Sequence, residues 1–273
     1  MADLESVKNE VVVKTKKKAT INELIQKSLT ELGKAVPKCM NAERLGRIAL
    51  TAVRLNPKLA ECTPASFLGA LFQSAQLGLE PNIEGQAYLI PYKNSKRVGD
   101  KWVKVDEVQF QIGYKGYIEL FYRNNSAVSI DMHTVYANDA FRVEYGTNAN
   151  ISHTPYIGDR GEVIGYYAIA RLNNNGQLFK FMTKDECIKH GLQHSKSIDT
   201  NGEFRKDSPW AKDLNAMCKK TVLIQLAKLL PKSVELQKAL AMDNTTKSRI
   251  DTDMFNIPDD TNWNEEETTP NID

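Results

Sequence analysis

Near Gly78 the hydrophobic period of the chain changes, and that change restricts the available folds more than any other feature. Before it, apolar residues recur at helical spacing. Thr20 and Glu23 form a capping box, followed by Ile21, Leu24, Ile25, Leu29 and Leu32 at three- and four-residue steps. A second helix is predicted over about 41–55, stopped by Asn56-Pro57, and a third starts at Thr63-Pro64 and ends near Gly78. After it the period is two. Ala87–Tyr92 and Val108–Ile112 read as strands, joined by a polar, lysine-rich connection over 93–107.

Gly113–Arg123 returns to a helical pattern. Further strands are expected at about 127–137, 141–145, 163–172 and 177–182, with Asn173-Asn174-Asn175-Gly176 as the hairpin turn between the last two. Thr183 with Glu186 opens a helix to about His194, and Ser208-Pro209 opens the longest helix, which runs to Leu230 and stops at Pro231. A short helix over 232–242 follows. N-terminal helices, a central, mostly antiparallel sheet with hairpins and a long C-terminal helix indicate an α+β domain followed by a disordered acidic tail.

Charge sorts along this framework. The chain of 273 residues carries 36 Lys+Arg against 34 Asp+Glu, a net of +2. Residues 244–273 hold eight acids and two bases, a net of −6, which leaves +8 on residues 1–243. Segment 85–125 has seven bases against four acids, and segment 180–232 has eleven against six. A basic body with an acidic tail suits polyanion binding. The sequence divides into a flexible basic arm (1–18, with Lys14, Lys16, Lys17 and Lys18), a core (19–231), and a short helix with an acidic tail (232–273). Met254, Phe255, Ile257 and Trp263 punctuate the tail, as in acidic segments that dock on partners. No window holds eighteen uninterrupted apolar residues and the N-terminal stretch lacks a secretory core, so a cytoplasmic protein without a membrane span is expected.

Enzyme signatures fail in turn. The sequence holds no G-x-x-x-x-G-K-[ST], G-x-G-x-x-G, G-x-S-x-G or H-E-x-x-H. Cys39, Cys62, Cys187 and Cys218 form no C-x-x-C pair and read as reduced, buried thiols. Cys187, His190 and His194 share a helix face, but they lack a fourth ligand and sit beside Lys184 and Lys189, so neither a metal nor another cofactor is expected. Scattered carboxylates such as Asp131, Asp139 and Glu144 keep a metal-dependent nuclease as the alternative reading, and a structural or assembly protein is another.

Residues 88–123 interleave bases with aromatics. Single-stranded nucleic acid requires that mixture, because cations track phosphates while flat rings stack on bases. Tyr88, Ile90 and Tyr92 alternate against Leu89, so one set faces a core. Tyr92, Trp102 and Tyr114 are the surface candidates, whereas Tyr117 and Phe121 read as core. Gly113-Tyr114-Lys115-Gly116 lies where a strand feeds a helix. Free amides there favour a phosphate, although the same glycines equally suit a purely structural turn. On the predicted helix 208–230, Lys212 and Lys219 fall within about 20° of each other, with Lys220 beside them.

The runs LEPNIEGQAYLIPYKN and VQFQIGYKGYIELFYRNN, followed by WAKDLNAMCKKTVLIQLAKLLP, resemble the two signature blocks of the RecT family of phage single-strand annealing proteins. The resemblance covers roughly 20–243. It implies ATP-independent binding of single-stranded DNA, pairing with a complementary strand through an annealed duplex intermediate, and a ring or helical filament with a basic groove. It also implies contact of the C-terminal region with a phage exonuclease and a host single-strand-binding protein, in the cytoplasm of the bacterial host. By position it brings Tyr92, Lys93, Gln111, Gly113, Tyr114, Lys115, Gly116, Arg123, Lys219 and Lys220 into motif positions. Charge and location add Lys104 and Lys212 as DNA-binding candidates, although the connection 93–107 is longer here than in the family's shortest members.

Overall fold

A computed structural model describes residues 21–37, 40–98, 100–231, 234–243 and 245–246. The basic arm, Cys39 and the tail from residue 247 lie outside the described residues. The first part is helical: α1 (Ile21–Ala35), α2 (Ala42–Leu55), the short α3 (Lys58–Glu61) and α4 (Pro64–Leu77). The strands β1 (Ala87–Val98) and β2 (Lys101–Ile112) lead into α5 (Tyr114–Tyr122). Next come β3 (Ala127–Tyr136), β4 (Ala140–Glu144), β5 (Asn150–Thr154), β6 (Val163–Leu172) and β7 (Gln177–Thr183). The last helices are α6 (Lys184–His194), α7 (Pro209–Lys212), α8 (Leu214–Ala227) and α9 (Val234–Met242).

Local chemistry sets the boundaries. Asn41 caps α2 by accepting from the amides of Glu43 and Arg44, Thr63 caps α4 ahead of Pro64, and Gly78 ends α4 in the left-handed region at φ 60°. Thr183 and Glu186 form the reciprocal box of α6. Asn175, at φ 61°, turns β6 into β7, and the Asn174 side chain accepts from the Gly176 amide.

The middle of the chain is antiparallel throughout, but it forms three separate sheets where the sequence suggested one. β1 pairs with β2, β4 with β5, and β6 lies between β3 and β7. α4 is buried around nearly its whole circumference, packed on α1 and β2, while α8 lies across β3, β6 and β7. α5 and α9 connect the two halves, so one core runs from Ile25 and Leu45 through Phe72 and Phe110 to Tyr166 and Leu223.

Two sequence expectations change. The polar connection 93–107 is instead the outer half of a long ribbon, in which Lys93 pairs with Asp106, Ser95 with Lys104 and Arg97 with Trp102. Most of this half is exposed, so it needs no apolar alternation and gives no strand signal in its sequence. The predicted helix 208–230 breaks at Asp213, whose backbone (φ −146°, ψ 82°) leaves the helical region while its carboxylate accepts from the Ala216 amide at 2.9 Å. Asp213 thereby restarts the helix as an N-cap, and α8 ends at Ala227.

The helix that the sequence groups with the tail packs inward. Leu236 and Ala239 of α9 are buried, and the Asp243 carboxylate accepts from the Ile112 amide at 2.7 Å and from the Tyr117 hydroxyl at 2.9 Å. The Phe110 amide donates to the Thr245 carbonyl, and Gln73 Nε2 donates to Thr245 Oγ1 at 2.7 Å. Among the described residues, no helix is long and apolar enough to cross a membrane.

Candidate nucleic-acid interface

The ribbon β1–β2 has two faces, separated by the period of two. Ala87, Leu89, Val108, Phe110 and Ile112 are buried on the core face. The opposite face carries Tyr88, Ile90 and Tyr92 from β1, with Tyr88 facing Gln111 and Tyr92 facing Glu107 across the strands. Tyr88 is 40% exposed, whereas Tyr92 and Gln111 are half-buried. The alternation left open which set faces inward, and the structure turns Leu89 in and the tyrosines out. Tyr88 therefore joins the candidate surface. Its place in the alternation was the signal for it.

This face runs into the turn before α5. A Cβ on Gly113 would meet the Gly85 carbonyl oxygen at 1.9 Å and the Tyr88 ring at 3.1 Å; one on Gly116 would meet the Gln86 carbonyl oxygen at 2.2 Å. Both glycines therefore serve close packing of the 85–86 loop, and the Gly113 amide already donates to the Gln86 carbonyl at 2.8 Å. The turn is structural, yet it leaves the start of α5 without a side-chain cap, and Tyr114 and Lys115 stand exposed at that start. Helix N-termini in this state attract anions.

Farther out, Lys93, Arg97, Trp102 and Lys104 share the face that is continuous with the core side, and Trp102 is 72% exposed. Tyr92 and Lys93, neighbours in sequence, thus serve opposite faces. Lys96 lies on the tyrosine face and bridges to Glu107 at 2.8 Å, while Asn94 donates to the same carboxylate at 2.9 Å. The buried Glu107 is thereby satisfied locally.

Arg123 has another occupation. Its Nη1 donates to the Leu77 carbonyl at 2.6 Å and its Nη2 to the Gly78 carbonyl at 2.9 Å, and Nε and Nη2 also reach Glu119 at 3.3 Å. The guanidinium closes the C-terminal end of α4. Lys212 ends α7 and shares a cleft of about 550 Å³ with Lys184, Glu162, Asp213 and Asn215. The break at Asp213 removes the common helix face expected for Lys212 and Lys219. Lys219 and Lys220 remain half-buried on α8, which packs against α5.

The residues considered for metal chemistry do not converge. Cys187 is fully buried against Cys218, a hydrogen bond that together with burial raises its thiol pKa, while His190 Nε2 lies 2.9 Å from Gln225 Nε2. The Asp139 carboxylate is enclosed and accepts from Arg160 at 2.7 and 2.9 Å, whereas Asp131 pairs with His133 and Glu144 with Arg142. Among the described residues, no three His, Cys, Asp or Glu side chains are grouped to hold a metal ion.

The chain is similar to known proteins over most of its length. The RecT family profile matches residues 43–260. The chain is 35% identical over 253 residues to Protein RecT of Escherichia coli (strain K12), covering 92% of this chain and 90% of that protein. It is 32% identical over 196 residues to the uncharacterized protein YqaK of Bacillus subtilis (strain 168), covering 71% of this chain and 61% of that protein.

Proposed function

The chain belongs to the RecT family, whose members act in recombination and strand annealing, and from that premise we propose that it binds single-stranded DNA and anneals complementary strands without ATP. One observation carries the reading. Exposed or half-exposed rings and an amide run from Tyr92 through Tyr88 and Gln111 to Tyr114, ending at an uncapped helix start that bears Lys115. Rings spaced along a ribbon suit bases held apart, and the helix start with its lysine suits a phosphate.

Annealing demands no bond-making by the protein. It demands neutralised phosphates, so that two strands of like charge approach, and bases kept open for pairing. On this reading Lys93, Lys104, Lys115, Lys212, Lys219 and Lys220 supply charge, and Tyr88, Tyr92, Trp102 and Tyr114 supply stacking. Gly113 and Gly116 hold the turn in shape, and Arg123 keeps α4 and α5 together. The protein works as an oligomer, ring or filament, in which modest contacts repeated per subunit add up to tight, salt-sensitive binding. The acidic C-terminal region docks partners, among them a phage exonuclease and a host single-strand-binding protein, in the cytoplasm of the bacterial host.

The test is a fluorescence assay of oligonucleotide annealing with Lys115→Ala and a Lys219→Ala/Lys220→Ala double variant. Both are expected to fold and to lose annealing. Parental annealing rates in both across a salt titration would contradict the reading.

A further inference from the structure

Two apolar features lie outside the tyrosine-bearing face of the ribbon. The first is the tip of the loop between β5 and β6, where Tyr156 is 55% exposed and Ile157 101% exposed. Single exposed apolar residues are ordinary on loops, but this loop is braced on both sides of its tip. The Tyr156 amide donates to Asp139 Oδ1 at 3.0 Å, Asn138 Nδ2 donates to the Asp159 carbonyl at 2.9 Å, and the Ala137 amide donates to the Glu162 carbonyl at 2.8 Å. Arg160 is locked on Asp139 and lies 4.1 Å over the Tyr136 ring. The Tyr156 ring rests on Gly158, where a Cβ would approach it to 2.6 Å. An isoleucine held in solvent by a buried ionic network is a preorganised anchor, with its ordering entropy already spent.

The second feature is a groove of about 470 Å³ between α2 and the 81–83 turn, lined by Ile48, Ala52, Leu55 and Ile83 with Arg44 and Arg47 at its rim. Leu55 is 80% exposed. Asn82, in the left-handed region at φ 60°, donates its amide to the Ala87 carbonyl at 2.7 Å and fixes that wall. Arg44 is engaged by Glu80 at 3.0 Å, while Arg47 carries no ion pair among the described residues.

We propose that the Tyr156–Ile157 tip of one copy seats in the α2 groove of the next, an arrangement that rests on the oligomeric reading above. The chemistry is complementary: an apolar tip followed by the exposed Asp159 meets an apolar groove rimmed by Arg47. A second copy accounts for both uncovered surfaces at once, which the acidic tail as occupant does not. The two surfaces belong to different elements, so the contact is head-to-tail. Each added copy leaves one tip and one groove open, and such a contact closes into a ring or extends as a filament.

Sedimentation velocity of the full chain without DNA tests this with Ile157→Asp and Leu55→Asp, both at exposed sites where the fold tolerates a charge. Each variant alone is expected to fall to monomer at concentrations where the parent assembles. An equimolar mixture is expected to give a two-chain species and nothing larger, because Ile157→Asp keeps its groove and Leu55→Asp keeps its tip. Parental assembly by either variant, a mixture that stays monomeric, or a parent that never assembles would overturn the proposal. If Leu55→Asp leaves assembly intact but exposes the tail to protease, the groove holds the tail and the proposal fails. Oligonucleotide anisotropy on the same samples reads the DNA-binding function separately. Predicted assembly without DNA binding sinks only the functional reading, and DNA binding with unaltered assembly sinks only this contact.

Discussion

Arg123 closes α4 by donating to the carbonyls of Leu77 and Gly78, groups that a helix end leaves without partners. Its sequence position beside an aromatic-rich helix suggested a phosphate contact, because sequence records the charge and not the carbonyls that occupy it. Arg123→Ala is expected to lower unfolding stability by about 2 kcal/mol in urea titrations, in line with charged hydrogen bonds, while oligonucleotide affinity of the folded protein stays within twofold. Asp139 makes a second case. Its hydrogen bonds from Arg160 hold the carboxyl well below the usual carboxylate range against the opposing effect of burial. A depressed folded-state pKa means stabilisation that is fully present above the unfolded value of about 4 and is lost as pH falls toward the folded one. Asp139→Asn should therefore melt earlier than the parent at pH 7, and the gap should narrow below about pH 4. A gap that widens on acidification would show that the network around Arg160 is misread.

At the scale of elements, helix starts were legible where their caps are written in short polar codes: Thr63 with Pro64, and the box of Thr183 and Glu186, act where the sequence places them. The ribbon was half legible. Its inner strands carry the apolar alternation, whereas its outer half is specified by cross-strand pairs such as Arg97 with Trp102, which lie five residues apart and leave no periodic trace. Asp213 interrupts an otherwise continuous helical pattern, and only its backbone angles reveal it as a cap. If the ribbon is a stacking surface, Tyr88→Ala and Trp102→Ala should each weaken binding of single-stranded DNA by about 5- to 150-fold. A Lys93→Ala/Lys104→Ala variant should flatten the slope of log affinity against log salt by about 1.4. The turn below it tolerates no side chain: Gly116→Ala forces a methyl onto the Gln86 carbonyl at 2.2 Å and should cost about 3 kcal/mol of stability in urea unfolding.

For the whole molecule, the near-neutral total of +2 conceals +8 on residues 1–243 and −6 on the rest. The C-terminal end of the described residues lies beside the ribbon, with Asp243 and Thr245 fastened to β2. The surface itself was visible in sequence as a mixture of rings and lysines. Its facing was not, because alternation gives two sets and only the packing of Leu89 and Phe110 on the core selects the outer one. Annealing without catalysis is tested most directly by mixing two complementary labelled oligonucleotides with the full chain, with and without ATP and with magnesium present. Pairing is expected many-fold faster than the spontaneous rate, indifferent to ATP, with every strand keeping its length on a denaturing gel. Pairing at the spontaneous rate, a requirement for ATP, or shortened strands would contradict it.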